Sequence, residues 1–226
     1  MKPQKKEFAV IGLGRFGGTL CKELAAADID VLAIDKNTER VQEFASIVSH
    51  AVVMDAVDEQ SLHTVGIRNF DCAVISFGED IQSSILATLV LKEMGMKKVW
   101  VKARNDSHQK VLEKVGADKI IHPERDMAKR IAHHIVSDRI VDYIELSKNH
   151  SIVEVIASET MLGKTLSELH FDEKYACRII AVKKDEYHML IHPTPATKIA
   201  KGDILIIMGK NGDLNRLETR GYGNEL

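Results

Sequence analysis

Phe8-Ala9-Val10-Ile11-Gly12-Leu13-Gly14-Arg15-Phe16-Gly17 carries an unbroken apolar run into three glycines spaced G-x-G-x-x-G. A helical pattern follows at once, with Leu20, Leu24 and Ala27 on one face. Strand, glycine turn and helix come in the order that a dinucleotide-type site needs. In that reading Gly12 permits the tight turn. Gly14 lets backbone approach a phosphate, and Gly17 lets the helix sit close to the strand. The free N–H groups at the helix start then face an anion, helped by the helix dipole. A second strand, Val31 to Ile34, ends in Asp35, at the offset expected of a ribose-binding acid. A doubly wound domain whose turn binds nothing is the alternative.

Further along, apolar runs and helical patterns keep alternating. A helix through Val41, Phe44, Ala45 and Val48 precedes a third strand, Ala51 to Val53, which ends at Met54-Asp55-Ala56. Asp58 is placed to cap a short helix reaching Val65. The fourth strand, Ala73 to Phe77, leads through Gly78-Glu79-Asp80 into a helix containing Ile81, Ile85, Leu89 and Met94. Lys98 to Lys102 is a fifth strand, followed by Ala103-Arg104-Asn105-Asp106 and a helix from Ser107 to Val115 that closes at Gly116. Lys119 to Ile121 is the sixth strand, stopped by His122-Pro123. Six strands with long crossovers predict an α/β fold built on a doubly wound parallel Rossmann-type sheet. Ligands of such sheets sit beyond the carboxyl ends of the strands. There the sequence places Gly12, Gly14, Arg15, Phe16 and Gly17, then Asp35 with Lys36, then Asp55 with Ala56. Ser76, Gly78 and Glu79 follow, and finally Arg104.

Each of these has a chemical reading and a plainer one. Asp35 suits the two hydroxyls of an adenosine ribose and would repel a 2′-phosphate, which disfavours NADP. It does not separate NAD from ATP or ADP, and it is equally placed to start the next helix. Asp55 either accepts from an adenine amino group or caps the segment after it. Arg15 stands inside the glycine turn with five donors and a permanent charge, in reach of a phosphate unless it is a solvated surface arginine.

Glu124 to Asp138 reads as a helix with Met127, Ile131 and Ile135 in one apolar row and Ala128, Ala132 and Val136 beside it. That wide face either packs at the sheet edge or crosses to a second subunit. Asp142 to Glu145 marks a change in character. Beyond it shorter strands are expected at Ile152 to Ala157, Arg178 to Val182, Met189 to Ile191 and Ile204 to Met208. Small helices are expected at Thr165 to Leu169 and Asp213 to Leu217, in a small α+β lobe. The division expected is 1–123 for the nucleotide-binding domain, 124–142 for a crossover helix and linker, and 143–226 for the C-terminal lobe.

Composition narrows the function classes. The 226 residues carry a formal charge of -2 with both signs interspersed, which gives no electrostatic footprint for nucleic acid. Apolar stretches are strand-sized, and no signal-peptide pattern precedes Phe8, so a cytoplasmic protein is expected. Cys21, Cys72 and Cys177 are dispersed, which suits reduced thiols in the core. The histidines show no metal-binding spacing, and no nucleophile elbow or Walker lysine is present. The pattern suits binding and reporting rather than catalysis.

The stretch 8–17, Ile34-Asp35 and Gly66-Ile67-Arg68-Asn69-Phe70 resemble RCK (KTN/TrkA-N) domains. Trp100-Val101-Lys102-Ala103, Val111 to Asp118 and Ile121 to Met127 extend the resemblance, and the C-terminal lobe is similar to RCK_C (TrkA-C) domains. The likeness is nearest to the cytosolic gating subunits of bacterial Ktr potassium-uptake systems. It implies a regulatory subunit without turnover, ATP or ADP at the glycine turn, and a homo-oligomeric ring, typically an octamer built from dimers. It also implies docking beneath a membrane potassium-translocating subunit, at the inner face of the cell membrane, and a crossover helix after the sixth strand. Glu124 matches a position near the dimer interface that helps hold a divalent or monovalent cation beside the nucleotides. Leu166 to Lys174 with His192-Pro193-Thr194-Pro195 match a cyclic di-AMP region, where Asp172 replaces a phosphate-binding arginine of some relatives. An NAD(H)-binding redox sensor and an NAD-dependent oxidoreductase are the competing readings.

Overall fold

The computed structural model describes residues 6–136 and 140–219. The end of the helix expected over Glu124 to Asp138, at 137–138, lies outside the described residues. The chain divides into two compact units, Met1–Glu124 and Arg125–Leu226.

In the first unit β1 (Glu7–Ile11), α1 (Arg15–Ala26), β2 (Asp30–Asp35), α2 (Thr38–Phe44), β3 (His50–Val53) and α3 (Glu59–Thr64) come first. They are followed by β4 (Cys72–Ile75), α4 (Ile81–Glu93), β5 (Val99–Lys102), α5 (Asp106–Lys114) and β6 (Lys119–Ile121). The strands form one parallel sheet in the order β3-β2-β1-β4-β5-β6, the doubly wound arrangement expected. The chain walks outward from β1 in one direction, then restarts at β4 beside β1 and walks the other way. The switch point therefore lies between β1 and β4, where their carboxyl ends leave a crevice. Crossovers put helices on both faces, so the central strands are buried apart from the exposed Glu7 and half-buried Phe8 that open β1. Ile11, Ile75, Val99 and Val101 pack on one face with Leu62, Leu91 and Leu112. Val10, Val31 and Ala33 pack on the other with Cys21, Val41 and Phe44. Full burial of one such side chain contributes about 1.5–3 kcal/mol.

Local signals start the helices where the sequence placed them, with small shifts. Asp58 caps α3 by accepting the Gln60 N–H at 3.1 Å, and Asn37 does the same for α2 from Arg40 at 3.1 Å. Gly116 ends the turn after α5 with φ 96°. The second helix is shorter than its apolar spacing suggests, because the chain leaves the helix at Ala45.

α6 (Pro123–Val136) spans the division and starts one residue before the expected boundary. The second unit then contains β7 (Ile140–Ser147), β8 (His150–Ile156), α7 (Leu166–Leu169), α8 (Phe171–Tyr175) and β9 (Arg178–Lys183). β10 (Met189–Leu190), β11 (Ile204–Lys210) and α9 (Asn211–Thr219) complete it. Its antiparallel sheet has the order β10-β9-β11-β8-β7. Val153, Val155, Leu205 and Ile207 form its core with Phe171 and Ile199. Two elements differ from expectation. The segment 142–145, read as a change of character, lies inside β7. Register shifts against β8 between Ile140 and Asp142 and between Glu145 and Ser147 break the alternation that marks a strand in sequence. α8 was missed because its five residues are too few to show a helical period.

All three cysteines are free and buried, and burial pushes the Cys21 thiol up to about 12 and those of Cys72 and Cys177 to about 11. Packing is thus their role. Among the described residues no helix is long and apolar enough to cross a membrane.

Candidate functional site

The site begins where β1 ends. Gly12 has φ 93°, and a Cβ there would lie 2.7 Å from the Ser76 carbonyl oxygen at the end of β4. The turn is pinned on both sides: the Gly12 N–H donates to the Ile34 carbonyl and the Ser76 N–H to the Ile11 carbonyl, both at 2.7 Å. At Gly17 a Cβ would lie 1.9 Å from the Gly12 carbonyl oxygen, so the first turn of α1 rests directly on the loop. Gly14 differs, since a Cβ there would meet nothing within 4 Å. Neither fold geometry nor packing within the chain requires a glycine at 14. Gly18 was not singled out from sequence, yet a Cβ there would lie 2.7 Å from the Phe44 ring.

Gly14 is also the N-cap of α1 and supplies no side-chain cap, and no acidic residue stands in the first turn. A helix start leaves its first N–H groups without intrahelical partners and carries a partial positive charge. α2, α3, α4 and α5 all have side-chain caps, from Asn37, Asp58, Asp80 and Asn105. The start of α1 is built differently, beside the crevice of the sheet. Arg15 and Gly14 border it, Phe16 is half-buried, and the Arg15 side chain has no carboxylate within ion-pair distance among the described residues.

Asp35 is 6% exposed. Its Oδ2 accepts the Leu13 N–H at 2.7 Å, its Oδ1 accepts the Asn37 N–H at 2.9 Å, and the Arg40 guanidinium lies 3.6 Å from Oδ2. The carboxylate therefore ties the second strand end to the glycine turn. Helix α2 is started by Asn37 instead, so the simple capping alternative for Asp35 does not describe it.

The other expected residues are gathered unevenly. Ser76 is buried, 3.3 Å from the place a Gly17 Cβ would take. Gly78 and Glu79 are exposed at the start of the next loop. Arg104 reaches Glu79 there, donating to its carbonyl oxygen at 3.4 Å and lying 3.9 Å from its carboxylate. Lys36 lies 3.9 Å from Asp80. Asp55 is exposed and turns back on its own chain, accepting the Val57 N–H at 3.1 Å, while the neighbouring Ala56 is buried. That is the capping alternative for Asp55.

Two residues of this edge were not singled out from sequence. His108 is 3% exposed, and its Nδ1 accepts the Arg104 N–H at 3.2 Å. The proton must then sit on Nε2, which is buried without a hydrogen-bond partner. Lys102 closes β5 with a side chain 15% exposed and donates to Glu124 Oε1 at 2.5 Å. That hydrogen bond and the nearby charges of Lys102 and Arg15 hold the Glu124 carboxyl below the usual glutamate range. Within the single chain the positive partner of the Glu124 carboxylate is the Lys102 ammonium. Among the described residues no three acidic, histidine or cysteine side chains come together to hold a metal ion.

In the region matched to cyclic di-AMP binding, Asp172 lies 3.5 Å from Arg178, within the second unit. Its charge is spent on a neighbour of the same lobe.

A parallel doubly wound sheet with this glycine turn, followed by a small antiparallel lobe, defines a two-part class of Rossmann-type proteins. Residues 8–123 match the TrkA-N domain and residues 150–220 the TrkA-C domain. The chain belongs to the TrkA-N/TrkA-C family that includes the Ktr system potassium uptake proteins. It is 50% identical to Ktr system potassium uptake protein C of Bacillus subtilis (strain 168) over 216 residues, covering 96% of this chain and 97% of that one. It is 45% identical to Ktr system potassium uptake protein A of the same organism over 220 residues, covering 96% and 98%. Among solved structures the GsuK channel bound to NAD has the same fold over 95% of this chain and 38% of the channel, at 22% identity and a TM-score of 0.53.

Proposed function

We propose that this protein is a nucleotide-sensing regulatory subunit of a membrane potassium-uptake system. ATP and ADP are the ligands of the glycine turn. The reading rests on one observation: the start of α1 is uncapped and open at Gly14, beside the buried Asp35 carboxylate. That arrangement offers N–H groups to a phosphate and a carboxylate to a ribose at one edge. The near end-to-end likeness to Ktr system proteins directs the readout to potassium uptake. The subunit works without turnover, as a homo-oligomeric ring under its membrane partner. Each nucleotide favours the ring shape it binds better, and coupling of ~1–3 kcal/mol per effector accumulates over several sites.

Arg15 separates this reading from a generic dinucleotide fold. Its guanidinium is exposed, unpaired among the described residues, and next to the phosphate-facing backbone. Directed at a terminal phosphate, it favours ATP over ADP. Losing such a charged contact costs ~1.5–3 kcal/mol, so Arg15→Ala weakens ATP by roughly 10- to 100-fold and ADP by less. Calorimetry with ATP, ADP and NADH on wild type and variant tests this. Equal small losses for ATP and ADP remove Arg15 from the site. NADH displacing ATP at equal concentration favours the redox-sensor reading, and no nucleotide binding to wild type ends the proposal.

A further inference from the structure

The Lys102–Glu124 pair is the feature of this edge that no nucleotide contact yet explains. Lysine is almost never withdrawn from water without a partner, because its charge is strongly hydrated. Here the side chain is 15% exposed while its partner Glu124 is 69% exposed. An ordinary surface pair would leave both heads in water.

The sheet register shows what Lys102 is near. Ile11 of β1 pairs with Ile75 of β4, and Ile75 pairs with Val101 of β5. Lys102 is therefore level with Gly12, as Ser76 is. Two strand spacings separate β5 from β1, about 10 Å. Side-chain parity gives the face: Val99 and Val101 pack with Leu91 and Leu112, so Lys102 points to the opposite face, the one that α1 covers. Its ammonium is held by Glu124, and the side chain leaves the strand on the sheet face that also carries the start of α1. Arg15 lies at that start, and its charge is felt at Glu124. Two cations and one carboxylate thus converge beyond the glycine turn.

We propose that Lys102 is a phosphate-directed residue of the nucleotide site, masked by Glu124 until a terminal phosphate takes the ammonium from the carboxylate. The inference rests on the nucleotide reading above and deepens it. Glu124 and a phosphate offer the same chemistry, an anionic oxygen acceptor for an N–H⁺ donor. The exchange moves no proton and breaks no covalent bond. It means that Glu124 opposes nucleotide binding wherever no metal ion is present, the reverse of what a cation-bridging carboxylate does.

Calorimetry of the full-length protein in EDTA-containing buffer, with ATP and with adenosine as probes, tests this. Lys102→Met is expected to weaken ATP about tenfold or more while adenosine, which has no phosphate, changes little. Lys102→Arg keeps the charge and is expected to retain most of the ATP affinity. Glu124→Gln removes the competing carboxylate and is expected to tighten ATP without affecting adenosine. An equal loss of adenosine and ATP in a folded Lys102→Met protein makes the residue structural and overturns the proposal, as does unchanged ATP affinity. Weaker ATP binding in Glu124→Gln overturns the masking. If Lys102→Met does not fold, the Glu124→Gln and Lys102→Arg results still decide. Wild type that binds no ATP defeats the nucleotide reading itself, a result distinct from wild type that binds and variants that match it.

Discussion

At the scale of single residues, the Asp35 carboxylate already accepts N–H groups from Leu13 and Asn37, so replacing it touches fold and site together. Asparagine keeps only one acceptor oxygen, and its amide must face one of those N–H groups. Leaving a buried donor unpaired costs about 1–3 kcal/mol. Asp35→Asn is expected to lower the urea midpoint and to weaken ATP, ADP and NAD to a similar degree, since all three share the adenosine ribose. Unchanged affinity for all three in calorimetry removes Asp35 from the site. His108 makes a separate prediction about acid. Burial, aided by the charge of nearby His122, pulls its pKa below the usual 6.5. Above that value both the folded and the unfolded ring are neutral and His108 adds no pH dependence. Below it the unfolded chain takes up a proton that the folded ring resists, so stability falls with pH. His108→Gln keeps an acceptor for the Arg104 N–H and removes the titration. It is expected to lose less stability than wild type between about pH 7 and about pH 5 in urea melts. Parallel losses would show that His108 does not sense acid.

At the scale of elements, the β1–turn–α1 unit separates glycines needed by the fold from Gly14, which only the proposed nucleotide would need. A methyl group at Gly17 would press on the Gly12 carbonyl at 1.9 Å, and α1 would have to lift from the turn. Overpacking of this kind costs about 1–3 kcal/mol or more, so Gly17→Ala is expected to lower the melting temperature by several degrees. Gly14 is extended, with φ −66° and ψ −169°, a backbone that alanine adopts freely, and its Cβ would point into open space. Gly14→Ala is therefore expected to melt within a degree or two of wild type, the loss of a glycine N-cap being small. Its methyl would stand where the phosphates approach, and ATP affinity is expected to drop at least tenfold at a cost of about 1.4 kcal/mol. Thermal melts beside calorimetry separate the two. A Gly14→Ala protein with wild-type ATP affinity would show that the open side of the turn is not where phosphate sits.

At the scale of the whole molecule, α6 presents Met127, Ile131 and Ile135 at 51%, 50% and 72% exposure. Three large apolar side chains in one helical row, left this open within a single chain, suit an assembly, as a ring regulator requires. Wild type is expected to have a mass of more than one chain in light scattering. Ile131→Glu is expected to reduce that mass, because burying an unpaired carboxylate is costly. A monomeric wild type would remove α6 as an interface and the ring with it.

The sequence by itself determined the order of strands and helices in the first unit, the glycine turn and the set of residues at the strand ends. These follow from short-range rules: apolar runs, helical periods, caps and glycines act within a few residues of where they are read. Gly12 and Gly17 have the roles that their spacing assigns. Tertiary structure alone decided which of the gathered residues touch. Asp35 closes on Leu13 across 22 positions and Lys102 on Glu124 across 22, partnerships that depend on parallel register and on the face each strand residue takes. β7 escaped notice because its bulges, fixed by pairing with β8, reset the alternation that local reading relies on. The Glu124 carboxylate shows the limit most plainly. Its place at the start of α6 is legible in the sequence, but its pairing with an ammonium depends on a lysine on another strand.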